Sequence, residues 1–311
     1  MSDNLKGILF AILTALLWGI LAIALKVAVQ QVDPFTIVWF RFTLAFSVLA
    51  IIIQFRRPQF FAIFRKPPIA LIIAAIFLGI NYLGFLQGIN YTTPGNAQVV
   101  MQIGPIMLAV VGILVYNERL TIQQMIGFAI AGVGLFFFYR EQITNLIGNK
   151  EIYNQGMLWI LLGASSWVVY ATLQKRLVKS FAPQQLNLII YLLPAIGYLP
   201  LVDFTIFINM SVGIWLLMVF LGLNTLVAYG ALAEALKYTE ANKISIIITC
   251  NPIITILVML LLEALAVKWI APENFNPWAV VSGLLVITGA VLVVAKRKKK
   301  ETEPKAKIHH T

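Results

Sequence analysis

The chain has 311 residues, of which 60% are apolar and 11% charged, and its mean hydropathy is +0.90. So much apolar surface cannot be hidden inside a soluble domain of this length, which leaves lipid as the solvent. The formal charge of +11 does not indicate a nucleic-acid partner, because the basic residues sit in short connectors and a tail rather than on a folded basic surface.

Crossing a bilayer takes about 20 helical residues. Apolar runs near that length fall at 7–28, 35–55, 69–89, 95–116, 122–139, 157–178, 186–202, 213–236, 243–262 and 277–295. No cleavable signal pattern marks the first run, so it is expected to remain as the first helix. It carries Trp18 near its middle. The second run holds Arg41 about two turns in, where a charge is costly and normally turned inward. Helix tying through backbone carbonyls is the expected role of Arg41, with a substrate carboxylate as the alternative partner. The third run has Tyr82 and a Gly84-x-x-x-Gly88 motif that admits a close neighbouring helix. The fourth places Gln98 and Gln102 on one face ahead of Pro105, and Thr121 with Gln124 forms a capping box before the fifth. Trp167 lies mid-way along the sixth, and the seventh carries Pro194 and then Pro200 near its end. Tyr229 and Glu234 lie in the eighth. Glu234 is the one acid clearly inside a span; an ion pair with Lys237 one turn on is the plain reading, and a protonatable coupling site the sharper one. The ninth run contains Ser245, Thr249 and Pro252, and Asn276 with Pro277 opens the tenth as N-cap and first-turn proline. Ten spans leave no room for a soluble catalytic or nucleotide-binding domain.

Basic residues gather in alternate connectors: Arg56, Arg57, Arg65 and Lys66, then Lys175, Arg176 and Lys179, then Lys237 and Lys243. A tail at 296–311 begins with five more in a row, from Lys296 to Lys300, and suits anionic lipid headgroups. This bias puts both termini in the cytoplasm. Cys250 is the only cysteine, so no intramolecular disulfide or thiolate cluster can form, and His309 and His310 lie at the end of the tail. No metal or cofactor is expected.

The spanning pattern occurs twice. Gly7, Leu9, Leu13, Ala15, Trp18, Ala22 and Lys26 recur 149 residues later as Gly156, Leu158, Leu162, Ala164, Trp167, Ala171 and Lys175, and Pro34 recurs as Pro183. Tyr82, Tyr91, Thr92 and Pro105 recur 147 residues later as Tyr229, Tyr238, Thr239 and Pro252. Two copies, 7–139 and 156–295, each with an odd number of spans, enter the membrane from opposite sides. The expected fold is thus all-α and integral to the membrane: ten transmembrane helices as two inverted five-helix repeats around a central cavity. Pro105 and Pro252 are expected to break matched helices and to serve as gating points, since freed backbone groups persist in lipid only beside protein or a wet cavity. Gln98 and Gln102 in one copy match Ser245 and Thr249 in the other as the polar lining beside each break. Trp18, Trp167, Tyr82 and Tyr229 sit mid-span at equivalent positions, as walls for an apolar or aromatic solute.

On these motifs the chain resembles the drug/metabolite transporter superfamily in its EamA-type branch. The residues that carry the resemblance are Leu17-Trp18-Gly19, Pro34 with Arg41, Asn90-Tyr91-Thr92 leading to Pro105, and Asn117-Glu118-Arg119-Leu120. In the second copy they are Trp167, Pro183, Ala235-Leu236-Lys237-Tyr238, Pro252 and Glu263. The resemblance implies a basket of inverted repeats that moves amino acids, other metabolites or drugs, often outward, across a bacterial cytoplasmic membrane. It adds Tyr170 to the substrate-lining residues. A connector from Glu263 to Asn276 longer than its counterpart, and the prolines of the seventh span, depart from the pattern and bear on the gate.

The function expected is a secondary transporter, an exporter of small neutral or zwitterionic metabolites with amino acids favoured, working by alternating access. Proton coupling is open, and oligomeric state is not readable. Within the superfamily the alternative solutes are sugar or nucleotide-linked metabolites and drugs. An intramembrane enzyme is disfavoured, because no embedded histidine or carboxylate pair exists, and a non-transporting scaffold would not need polar stripes at a central break.

Overall fold

The computed structural model describes residues 3–104, 106–107, 110–111, 121–144, 149–238, 244, 247–273 and 277–294. Among the described residues there are ten α-helices and no strand. They are α1 (Asp3–Ala28), α2 (Pro34–Arg56), α3 (Ile69–Tyr91), α4 (Pro94–Met101) and α5 (Ile122–Thr144). The second set is α6 (Lys150–Leu177), α7 (Pro183–Tyr198), α8 (Val212–Tyr238), α9 (Asn251–Ala264) and α10 (Pro277–Val294). Seven stretches are long and apolar enough to cross a membrane: α1, α2, α3, α5, α6, α8 and the segment Ile247–Ala264 that ends in α9. Among the described residues α4, α7 and α10 are shorter.

Local chemistry sets the helix starts. Asp33 accepts the Thr36 amide at 3.0 Å, and Pro34 follows in the first turn of α2, where a missing amide hydrogen costs nothing. Thr93 accepts the Asn96 amide ahead of α4, with Pro94 in the same first-turn place. Before α5 the capping box forms as expected: the Gln124 amide donates to Thr121 Oγ1 at 3.2 Å, and the Thr121 amide to Gln124 Oε1 at 3.0 Å.

Two segments differ from the continuous runs read in the sequence. The helix started by α4 is interrupted at Gln102, whose amide reaches Val99 O at 3.2 Å in a tightened turn. The matching interruption comes at Cys250, whose amide reaches Ile247 O at 3.2 Å. Pro252 therefore sits in the first turn of α9 instead of kinking a helix interior, because a proline at a helix start needs no amide partner. Pro105 lies outside the described residues, as do Ser245, Asn276 and the tail. The seventh run is helical over Pro183–Tyr198, and a short 3-10 turn at Leu199–Leu201 with Pro200 ends it before residue 202.

The most extensive helix pairs are α3 with α6, α5 with α10 and α1 with α8; α2 packs on α7 and α8, α3 on α7, α1 on α9, and α4 on α6 and α9. Renumbering every helix n as its partner n + 5 maps this set of pairs onto itself: α3–α6 exchanges with α1–α8, α2–α8 with α3–α7 and α1–α9 with α4–α6, while α5–α10, α2–α7 and α4–α9 are their own equivalents. Gly84 of α3 lies so close to Gly163 and the Trp159 carbonyl of α6 that any Cβ there would meet backbone. That close approach is what the Gly84-x-x-x-Gly88 motif predicts. Large apolar side chains such as Phe55, Ile126, Phe136, Leu158, Leu216 and Leu257 face outward, as suits a lipid-facing surface.

Candidate functional site

Five aromatic side chains from five helices meet inside the bundle. Tyr82 of α3 and Tyr229 of α8, at equivalent positions of the two copies, have ring centroids 6.1 Å apart. Trp18 of α1 lies 5.4 Å from Tyr229, and Tyr170 of α6 meets Tyr229 edge-on at 6.3 Å. Phe42 of α2 is 4.4 Å from Tyr82. Tilted and edge-on contacts at these distances are the favoured aromatic geometries. Trp167 is not part of this group: its ring lies against Gly104. The copies therefore share tyrosine positions but use their tryptophans differently.

Arg41 enters the same cluster. Its guanidinium carbon lies 4.4 Å over the Tyr82 ring, and its Nε donates to Thr225 Oγ1 at 3.2 Å. It thus links α2, α3 and α8, through a ring face and a hydroxyl rather than the backbone carbonyls expected from the sequence. Only 3% of the residue is exposed.

The polar lining divides. Gln98 is buried and its Nε2 donates to Trp18 O at 2.9 Å, joining α4 to α1 beside the aromatic group. From the other side Asn224 of α8 donates to Leu17 O at 3.0 Å. Gln102 donates back to Gln98 O at 3.2 Å, and among the described residues its buried side-chain oxygen has no hydrogen-bond donor. Thr249 is fully buried. Next to it the Asn251 side-chain amide matches its surroundings when its Nδ2 faces two carbonyls, donating to Ile248 O at 2.9 Å, the carbonyl that Pro252 frees, and to Ala15 O at 3.2 Å. Glu234 is half-buried and accepts from Gln184 Nε2 at 3.3 Å; the Lys237 side chain lies outside what is described.

Two charged residues of the site were not singled out from the sequence. Lys26, at the end of α1, donates to Ile89 O at 2.8 Å, Asn90 O at 3.1 Å and Thr92 O at 2.7 Å. All three of its N–H groups cap the end of α3, where carbonyls lack helical partners. Its recurrence as Lys175 was the available signal. Glu273, in the connector after α9, accepts the Gly95 amide at the start of α4, at 2.8 and 3.2 Å on its two oxygens. Burial pushes its carboxyl up to about 7, against the lowering pull of Thr93, the Gly95 amide and Lys26. Alongside, Tyr153 OH donates to Asn96 Oδ1 at 2.7 Å. At this end of the bundle α1, α3, α4, α6 and the long connector are laced together, and the aromatic cluster lies below.

The same connector begins with a well-formed helix stop. Ala266 has φ of 51°, with Val267 N–H on Leu262 O at 3.1 Å and Ala266 N–H on Glu263 O at 2.9 Å. This is a Schellman motif in which alanine holds the place usually given to glycine.

A family model described as the EamA-like transporter family matches twice, over residues 5–140 and 154–295. An uncharacterized transporter of Haemophilus influenzae is 31% identical over 290 residues, covering 93% of this chain and 94% of its own. The uncharacterized inner membrane transporter YhbE of Escherichia coli is 31% identical over 288 residues, covering 92% of this chain and 90% of its own. A solved crystal structure at 18% identity superposes with a TM-score of 0.64 over 93% of this chain and 97% of that one, and it speaks to the fold alone. With two family matches that together span nearly all of a lipid-solvated helical bundle, the chain belongs to the EamA-like transporter family of the drug/metabolite transporter superfamily and is an integral membrane protein of the transporter class.

Proposed function

We propose that the protein is a secondary transporter that exports small neutral or zwitterionic metabolites, amino acids foremost, by alternating access. In this reading all ten helices cross the membrane, as two inverted five-helix halves, and the basic connectors keep both termini in the cytoplasm. The membrane would be the bacterial inner membrane, the location named for the Escherichia coli relative.

The observation that carries the reading is the meeting of Tyr82 and Tyr229, with Trp18 and Tyr170, at the contact between the halves. A chamber opened there by separation of the halves would be walled by these rings, with the Gln98 and Gln102 side-chain amides and the helix interruptions at Gln102 and Cys250 beside it. Interruptions of this kind give a carrier its hinge points and its polar backbone contacts with solute. In this reading the laced end at Lys26, Gly95 and Glu273 is one gate of that chamber. Glu273, buried and touching α4, is better placed than Glu234 to link protonation to opening. Counterflow in liposomes, with a panel of labelled amino acids, sugars and cationic drugs, tests the reading. Uptake of neutral amino acids that Tyr229→Ala abolishes supports it, and a response confined to sugars or cations overturns the solute class.

A further inference from the structure

We propose that Arg41 binds the carboxylate of the transported solute. The inference rests on the aromatic cluster being the solute chamber, and it narrows the solute to a small acid or zwitterion carrying an apolar or aromatic body.

The buried Arg41 and the half-buried Lys26 differ in how well they are matched. Lys26 places all three of its N–H groups on carbonyls. Arg41 has five N–H donors in a planar fork, and only Nε has an acceptor, Thr225 Oγ1. The four N–H groups of its terminal nitrogens meet no acceptor among the described residues, and no carboxylate of those residues pairs with it. A guanidinium taken out of water needs its donors matched, and one hydroxyl plus a ring face replaces only part of its hydration. An arginine that merely braces membrane helices finds an acid or backbone carbonyls. Among the described residues Arg41 has neither, at 3% exposure.

Its surroundings fix which edge is open. Tyr82 covers one face and Thr225 holds the Nε edge, so the pair of terminal nitrogens remains, the edge that grips a carboxylate through two parallel hydrogen bonds. Tyr82 and Tyr229, its electrostatic neighbours, bring phenol hydroxyls to the same place. The equivalent position in the second copy is Ile190, which is buried and apolar. One cation therefore faces the chamber from this pair of positions, which suits a single carboxylate better than a phosphate group.

The test uses the full-length protein in lipid nanodiscs and tryptophan fluorescence, with two matched probe pairs: phenylacetate against phenylacetamide, and L-phenylalanine against L-phenylalaninamide. The unmodified protein should bind each acid roughly 10-fold or more tighter than its amide, as expected for a charge-assisted two-point contact. Arg41→Gln should bring the members of each pair to within about 2-fold by weakening the acid alone, while Arg41→Lys keeps part of the preference. Retention of the acid preference in Arg41→Gln overturns the assignment and leaves the chamber standing. Failure of all four probes to bind the unmodified protein overturns the chamber and the assignment together. If Arg41→Gln does not fold, Thr225→Val decides: selective weakening of the acids supports the role, and equal weakening of acids and amides contradicts it.

Discussion

The α3–α6 and α1–α8 contacts are the same interface by repeat position, yet they are built in opposite ways. In the first, Gly84 and Gly163 bring two backbones together, and Asn81 Nδ2 donates to Gly163 O at 3.0 Å. In the second, the residues equivalent to Asn81 and Gly163 are Ala228 and Thr14, and Thr14 Oγ1 donates to Ala228 O at 3.3 Å. The position pair is bridged in both, but donor and acceptor have changed helices. Where the first seam has touching backbone, the second is filled by side chains: Phe10 stacks on Tyr238 and Trp18 leans on Tyr229. Backbone-on-backbone contact has one arrangement, whereas rotatable side chains can repack. By packing alone, α3–α6 is the more constrained seam and α1–α8 the one whose side chains have room to rearrange.

The largest effect expected from breaking this contrast comes from bulk in the constrained seam. Gly163→Val drives a branched side chain into Asn81 O and the Gly84 backbone, and should cost about 3 kcal/mol, the upper end for overpacking. Thr14→Val at the equivalent place in the other seam removes one hydrogen bond and should cost about 1 kcal/mol. Thermal unfolding in detergent distinguishes them, and equal losses would erase the difference between seams. Next comes Lys26→Met, which strips three carbonyls of their cap where α1 and α3 are joined. About 2 kcal/mol is expected, in line with hydrogen bonds to a charged group, with the loss seen by the same melting assay.

A smaller and more selective effect separates the tryptophans. Trp18→Ala should weaken aromatic solute binding about 10-fold, roughly 1.4 kcal/mol, while Trp167→Ala, against Gly104, lowers stability and leaves solute affinity unchanged. Titration of L-phenylalanine with each variant reads the split, and equal losses of affinity would put both rings on the chamber. The smallest effect is a pH dependence at the laced end. The buried Glu273 carboxyl keeps its proton up to about pH 7, whereas a hydrated one releases it in the ordinary carboxylate range. The closed arrangement thus binds the proton more tightly, so acidification from pH 7 toward 5 favours it and alkalinisation favours opening. Labelling of a cysteine placed at Gly95 should slow as pH falls, and Glu273→Gln should flatten that curve. A rate that rises on acidification would reverse the sign.

Much of this arrangement was legible in the sequence because it is written twice. Tyr82 and Tyr229 recur at a fixed offset, and they meet. The glycine pair of α3 and the capping box of Thr121 and Gln124 follow local rules, and both formed. Long-range partners were less legible. Periodicity places Arg41 on a helix but does not say that Thr225, 184 residues on, will hold its Nε. Glu273 reads as one connector charge among several, since nothing local indicates that the Gly95 amide 178 residues away becomes its donor. Trp167 was misleading for the opposite reason: repeat equivalence predicts the same neighbour as Trp18, but Gly104 offers a flat surface where the other copy has Asn251.

An inverted pair of halves must begin on opposite sides of the membrane. In a Cys250→Ser background, single cysteines at Asp3 and Asn154, both exposed, can be probed in intact cells with a membrane-impermeant maleimide. The Asn154→Cys protein should label from outside at once, and the Asp3→Cys protein only after permeabilisation. Labelling of both from the same side would contradict the inverted arrangement and, with it, the alternating-access chamber between the halves.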